Sequence, residues 1–264
     1  MMESKIDNMD NLRLNNVKKL LESCQGFVDL SGMNLSGLDL SDMDLGFALL
    51  ESSDLSDAIL RGTNLKYARL DKSNLCNADL YFSNLSGSSL QGCICIGTSF
   101  LGASLEDVNL DYSKCWSACF MDGYLMRSCF YRADMSESSF SYSNLSFTDF
   151  SEANLRSVRF INSNLEGATF EGANLEGANF RGANLQSVNF KGANLEGANF
   201  ERANLEEANF EGANLEGANF RGANLQVAIL SKANLYVKSS TGYIDSAKYV
   251  DEYRDDLYKD IEYD

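Results

Sequence analysis

The sequence predicts an all-β fold, a four-sided solenoid of short strands with a short helix at each end. Three observations predict it. Every fifth residue from Leu30 to Leu235 is apolar: 27 Leu, 12 Phe, two Cys and one Met, with no slip of register. Two residues before each of these stands a side chain that is mostly small, such as Ala58, Thr63, Ala68, Ser73 and Ala78. The exceptions among the large residues, Cys95, Cys115 and Met135, recur every 20 residues.

The small, polar and large residues of each five alternate in, out, in, as a short extended segment does. The remaining two turn a corner, where glycine tolerates the positive φ that corners need. An α-helix is excluded, because 3.6 residues per turn smears a five-residue period around the surface. The 20-residue spacing then sets four pentapeptides per coil. Sorted that way, the Phe columns lie opposite each other with Leu columns between. At about 4.8 Å per coil, roughly ten coils make a rod about 50 Å long.

Composition excludes several functions. The 264 residues carry 38 acidic and 22 basic side chains, a net charge of −16. That argues against direct nucleic-acid binding, which relies on cationic side chains, and favours a basic partner or one that normally holds DNA. Histidine, the commonest general base and metal ligand, is absent, and so is proline. No stretch reads as a signal peptide or could span a membrane, so the seven cysteines are expected as reduced thiols in a cytoplasmic protein. Glycines recur as corner residues and form no phosphate-binding loop. A filled, narrow solenoid offers no recess for catalysis. No catalytic, cofactor-binding or metal-binding residue is expected. Cys95 and Cys115 occupy inward positions, where free cysteine fills core as a small hydrophobe.

The segments "ADLYFSNLSGSSL" and "GANLEGANFRGANLQ" resemble the pentapeptide-repeat family, whose consensus is A(D/N)LXX. The resemblance covers about residues 28–235. It implies a right-handed quadrilateral β-helix of a kind common in bacteria. "NNVKKLLESCQGFVDLSGMNLSGLDL" is similar to family N-termini, where a short helix leads into the first coil.

Three segments follow: an N-terminal helical cap at 1–27, the β-helix at 28–238, and an acidic, Tyr-rich C-terminal helix at 239–264. In the cap, Leu14, Val17, Leu20, Leu21 and Cys24 recur at helical spacing, with Lys18 and Lys19 facing elsewhere. In the tail, Ile244, Ala247, Val250, Leu257 and Ile261 fall near one stripe. This segment either caps the last coil or makes a homodimer contact through Tyr249, Val250, Tyr253 and Leu257.

The outward positions divide the rod in two. From about Asn164 onward they are Asn, Gly and charges, including a stacked acidic stripe of Glu176, Glu196 and Glu216. Like charges so placed repel; the stripe is either drift after duplication of a "GANLEGANF" unit or part of an anionic surface. The middle of the rod is apolar outside as well as inside. Tyr81, Phe82, Ile94, Ile96, Leu101, Trp116, Met121, Tyr124 and Met126 form a candidate protein-contact patch, since contiguous exposed hydrophobes mark contacts.

Three functions compete. The first is a non-catalytic interaction scaffold, an acidic rod that holds a protein partner at the patch. The second follows from the resemblance: some family members mimic B-form DNA and bind the type II topoisomerase DNA gyrase, giving quinolone resistance. The net −12 of residues 28–235 agrees, whereas the unbroken register and the apolar middle depart from that pattern. The third is a self-assembling structural rod.

Overall fold

The computed structural model describes residues 3–23, 26–239 and 242–245. From Asp29 every fifth residue forms a parallel bridge to the residue twenty positions on, from Asp29 with Leu49 through to Asn214 with Asn234. Each coil is therefore four pentapeptides, and each side of the rod is one rung per coil. The rungs are short because every strand is only the in–out–in triplet. The Leu50 N–H donates to Arg69 O at 2.7 Å on the next coil, and the Arg69 N–H donates back to Ala48 O at 2.9 Å.

Corners are β-turns. The Ser53 N–H, for example, donates to Leu50 O at 3.1 Å, three residues back. The second corner residue has a positive φ in every pentapeptide from Gly32 to Lys232, whether it is glycine or not. Phe47, Phe82, Tyr142 and Phe147 all adopt this left-handed conformation at φ 53 to 64. Each non-glycine there costs about 1 kcal/mol. The surrounding ladder imposes the conformation regardless, because any other would break bonds to the coils above and below.

Inside, the large residues are fully buried from Leu30 to Leu215. Two phenylalanine columns interleave. Phe140, Phe160 and Phe180 stack at ring spacings of 5.1 Å, while Phe150 and Phe170 meet Phe160 edge-on at 5.7 Å. Outside, the asparagines of the rungs form side-chain ladders. Asn184 donates its amide to Asn164 Oδ1 at 2.9 Å and accepts from Asn204 at 3.1 Å, while its Oδ1 also accepts the Gln186 N–H two residues on. One polar residue thus joins neighbouring coils and closes its own corner.

Helix α1 spans Glu3–Ser23 and lies over the first coil. Val17 is buried, Leu14 and Leu21 pack partly against the core, and Lys18 and Lys19 are exposed. Leu20, expected on the buried face, is exposed. Arg13 ties the helix down by donating to Asn34 Oδ1 at 2.9 Å and Ser36 O at 3.1 Å. Cys24 lies outside the described residues. At the other end, residues 239 and 242–245 of the segment expected as a helix are strand, and the rest of that segment lies outside the described residues. Strands β1 (Tyr236–Ser239) and β2 (Gly242–Asp245) pair antiparallel, with Tyr236 opposite Asp245 and Val237 opposite Ile244. Val237, Tyr243 and Ile244 are β-branched or aromatic, which suits extended pairing better than a helical turn. Tyr249, Val250, Tyr253 and Leu257 lie outside the described residues.

The corner hydrogen bonds set the acid limit of stability. Asp39 and Asp54 are held below the usual carboxylate value by the hydroxyl and backbone N–H groups of Ser41 and Ser56, and Asp107 by the Arg127 guanidinium. A depressed folded value gives stability that is present above the unfolded value and is lost as pH falls through the folded one. With no histidine to titrate, the thermal midpoint is expected to stay flat between about pH 5 and 8 and to fall below about pH 4. A thermal-melt series across pH checks this; a step between pH 6 and 7 would contradict it.

Candidate protein-contact surface

The sides of the rod decide which patch residues meet. One side carries the rungs Asp39, Ile59, Asp79, Ser99, Cys119, Ser139, Arg159 and Asn179 up its midline, each bridged to the next. Its first edge is the corner row Ser56, Cys76, Ile96, Trp116, Ser136 and Arg156. Its second edge is Arg61, Tyr81, Leu101, Met121, Ser141, Ile161 and Arg181. Backbone bonds stack these rows: Gly97 N–H to Trp116 O at 3.1 Å on the first edge, and Gly102 N–H to Met121 O at 2.9 Å on the second.

Five of the nine predicted patch residues, Tyr81, Ile96, Leu101, Trp116 and Met121, therefore line the two edges of one side. Between them the floor is small, Ser99 and Cys119, so the larger edge residues flank a shallow apolar trough. Trp116 and Tyr81 are 46% and 41% exposed. Phe82 joins them at the corner, its ring edge-on to Tyr81 at 4.3 Å. That ring lies over Gly102, where a Cβ would sit 2.8 Å from it, so the glycine leaves room for the aromatic one coil below. The other three residues face elsewhere. Ile94 is a rung of the adjacent side, between Asn74 and Lys114. Tyr124 is a rung of the side beyond Phe82, between Ser104 and Asn144, and Met126 stands at that side's far corner.

Charge avoids this region. Residues 81–105, more than one full coil, contain no Asp, Glu, Lys or Arg. Just below, Asp79 is paired with Arg61 at 2.6 Å. A surface laid over this belt desolvates few ionic groups, which removes the usual cost of burying them.

Other aromatics pair outside the nine predicted patch residues. Phe47 and Tyr67 stack at 5.1 Å, with the Lys66 ammonium 5.4 Å from the Tyr67 ring centre. Tyr112 meets Tyr131 edge-on at 5.6 Å, Arg132 lies over Tyr131, and the Tyr131 hydroxyl donates to Glu152. A signal for them exists in the sequence. Aromatics at the second corner position are often followed twenty residues later by glycine: Tyr67 by Gly87, Phe82 by Gly102 and Phe147 by Gly167.

Glu176, Glu196 and Glu216 stack one per coil; the Gly177 N–H meets Glu196 O and the Gly197 N–H meets Glu216 O, both at 2.8 Å. The row below them ends in Arg156, which reaches Glu176 at 3.4 Å and relieves part of the repulsion. Cys93, Cys95 and Cys115 are free and buried. Neighbouring thiols and burial push the Cys95 thiol well up. Cys93 donates to Leu70 O at 2.9 Å. Burial, with Asp111 nearby, pushes Cys129 up to about 12. Cys95 and Cys129 thus stay protonated and poorly nucleophilic. Among the described residues, no three His, Cys, Asp or Glu side chains are grouped to hold a metal, and no helix is long and apolar enough to cross a membrane.

Comparison with known proteins places this geometry. No curated protein matches the chain. Among solved structures, HetL, a pentapeptide repeat protein involved in heterocyst differentiation regulation from the cyanobacterium Nostoc sp. strain PCC 7120, is 28% identical over 82% of this chain and 94% of its own, with a TM-score of 0.39. Rfr23, from the cyanobacterium Cyanothece 51142, is 23% identical over 52% of this chain and 90% of its own, at 0.32. QnrB1, a plasmid-mediated fluoroquinolone resistance protein, is 15% identical over 86% of this chain and 99% of its own, at 0.33. The family model for pentapeptide repeats matches residues 27–62, 58–94, 128–167, 163–202 and 198–236. It leaves 95–127 unmatched, although the rungs run through that stretch without a break. With most of its length matched and one ladder from end to end, the chain belongs to the pentapeptide-repeat family.

Proposed function

We propose that the protein is a non-catalytic protein-interaction scaffold, an acidic rod whose contact surface is the apolar trough between Ile96, Trp116 and Tyr81, Leu101, Met121. One observation carries the reading. Where the family consensus lapses, at 95–127, the inward positions stay apolar and in register, with Cys95 and Cys115 replacing larger side chains, while the outward positions turn to Ile, Leu, Trp and Met. Ladder and core are conserved in kind there, so packing gives no reason for outward Ile, Leu, Trp and Met, whereas contact does. A DNA mimic also suits an acidic rod. However, a phosphate-like row needs charge at every step along the axis, and residues 81–105 interrupt it with none.

The test is capture on immobilised rod from a lysate of the native cell. The Trp116→Glu, Ile96→Glu double variant is expected to lose the proteins that the unaltered rod retains while keeping the native circular-dichroism spectrum, because both positions face outward. Equal retention by the two would remove the trough as the contact surface.

A further inference from the structure

Charge changes sign along the side that carries the trough. Two ion pairs lie within the side, Arg61 with Asp79 and Arg156 with Glu176; the charges outside them are Asp39, Asp42 and Asp57 toward the N-terminus and Glu137, Arg159 and Arg181 toward the C-terminus. Asp42, Asp57, Arg159 and Arg181 are all exposed, and none has an ion-pair partner among the described residues. Asp57 only accepts the Asn77 amide at 3.3 Å. Between Asp79 and Glu137 the side carries no charge except Asp122, exposed at a corner. The order is acid, apolar, base, with the apolar centre between the Ser99 and Cys119 rungs.

We propose that a second copy of this chain docks antiparallel on this side, about a twofold axis that crosses the rod between Ser99 and Cys119. The proposal rests on reading the trough as a protein-contact surface and names its occupant. A twofold axis lying in the contact plane, perpendicular to the rod, carries each edge onto the same edge of the second copy and reverses the order of rungs. Trp116 then meets Ile96 of the second copy, and Met121 meets its Leu101. Tyr142, 57% exposed, meets the level of Tyr81 and Phe82. Arg156 meets the level of Asp57, and Arg181 that of Asp42. Every contact is made twice, as an isologous interface requires. Eight rungs at about 4.8 Å give a contact roughly 35 Å long. The parallel alternative, with the twofold along the rod, sets each rung against itself: Arg159 against Arg159 and Asp39 against Asp39. The like midline charges disfavour that arrangement, in which only the swapped edges bring opposite charges together, Arg61 with Asp57 and Arg181 with Glu176.

Sedimentation equilibrium of the full chain tests this. The unaltered protein is expected to be a dimer. Trp116→Glu with Ile96→Glu should weaken it more than about 100-fold, as loss of a central aromatic anchor does. Arg181→Asp should weaken it roughly fivefold, the size of an exposed ion pair, and adding Asp42→Arg should restore it. Rescue is specific to the antiparallel arrangement, because only there do these two levels meet. A protein that stays monomeric at its highest soluble concentration overturns the proposal, as does a dimer that the double glutamate variant leaves intact. So does an Asp42→Arg change that adds to the loss instead of repairing it. A monomer whose capture of another protein still depends on Trp116 overturns self-pairing alone and leaves the docking surface in place.

Discussion

Replacing Phe160 by alanine is expected to lower the unfolding free energy by about 4 kcal/mol, the middle of the range for a buried aromatic. Phe160 is fully buried. Its ring stacks on Phe140 below and Phe180 above, and meets Phe150 and Phe170 edge-on. Alanine removes four ring contacts at once. The cavity cannot collapse, because the ladder bonds fix the spacing of the coils on every side. Phe160→Leu should cost far less, about 1 kcal/mol, since the same column is leucine at Leu40, Leu60 and Leu80. In a solenoid each coil touches only its neighbours, so stability is close to a sum of local terms. Urea unfolding followed by circular dichroism reads the whole rod, and the single tryptophan, Trp116, reads the coils two below. A loss of less than about 1 kcal/mol for the alanine variant would show that the phenylalanine stack is not where the rod's strength lies.

The core was legible because it obeys one rule. An apolar residue every fifth position, with three exceptions twenty apart, defines both the pentapeptide and the coil. The surface obeys two rules at once, and only one shows in a linear reading. Outward residues were recognisable as apolar, but which of them meet depends on which corner each occupies. Hence Ile94, Tyr124 and Met126 were grouped with residues that face other sides. Corner aromatics such as Phe47 and Tyr67 lie outside the stretch where outward apolar residues cluster along the chain, so a linear reading does not single them out, although they share the left-handed corner position of Phe82. The start of the tail differs from expectation for another reason. Outside the repeat, a stripe of Ile, Val, Leu and Tyr fits a helix and a strand about equally well, and at Gly242–Asp245 pairing with Tyr236–Ser239 decided the matter.

The outward asparagines lead to the second large effect. By sequence they are only polar; in the structure Asn174, Asn184, Asn194 and Asn204 each donate to the coil below and accept from the coil above. Asn184→Asp is expected to cost about 2 kcal/mol, more than Asn184→Ala at about 1 kcal/mol, even though aspartate keeps the shape. The alanine merely deletes two ladder bonds and one corner bond. The carboxylate still accepts from Asn204 and Gln186, but it sets an oxygen against Asn164 Oδ1, an acceptor 2.9 Å from the present amide nitrogen. Asn164 cannot turn to help, because its own amide donates to Ser146 Oγ at 2.8 Å and its Oδ1 is directed at the Glu166 N–H. The chain follows the same rule. Aspartate stands below asparagine at Asp44 under Asn64, Asp54 under Asn74 and Asp134 under Asn154, where it only has to accept; Asp54 also stands above Asn34, and there the Arg13 guanidinium, which donates to Asn34, offsets the contact between acceptors. The sign of the pH response separates this cause from simple loss of a side chain. An unfavourable contact with an acceptor raises the introduced carboxyl's folded value, so its penalty is full above that value and shrinks as protonation makes it a donor at low pH. Denaturation of the two variants at neutral pH and near pH 4 should show the aspartate penalty falling toward the alanine one. An aspartate variant as stable as the native chain at neutral pH would mean that the ladder amides contribute nothing to holding the coils together.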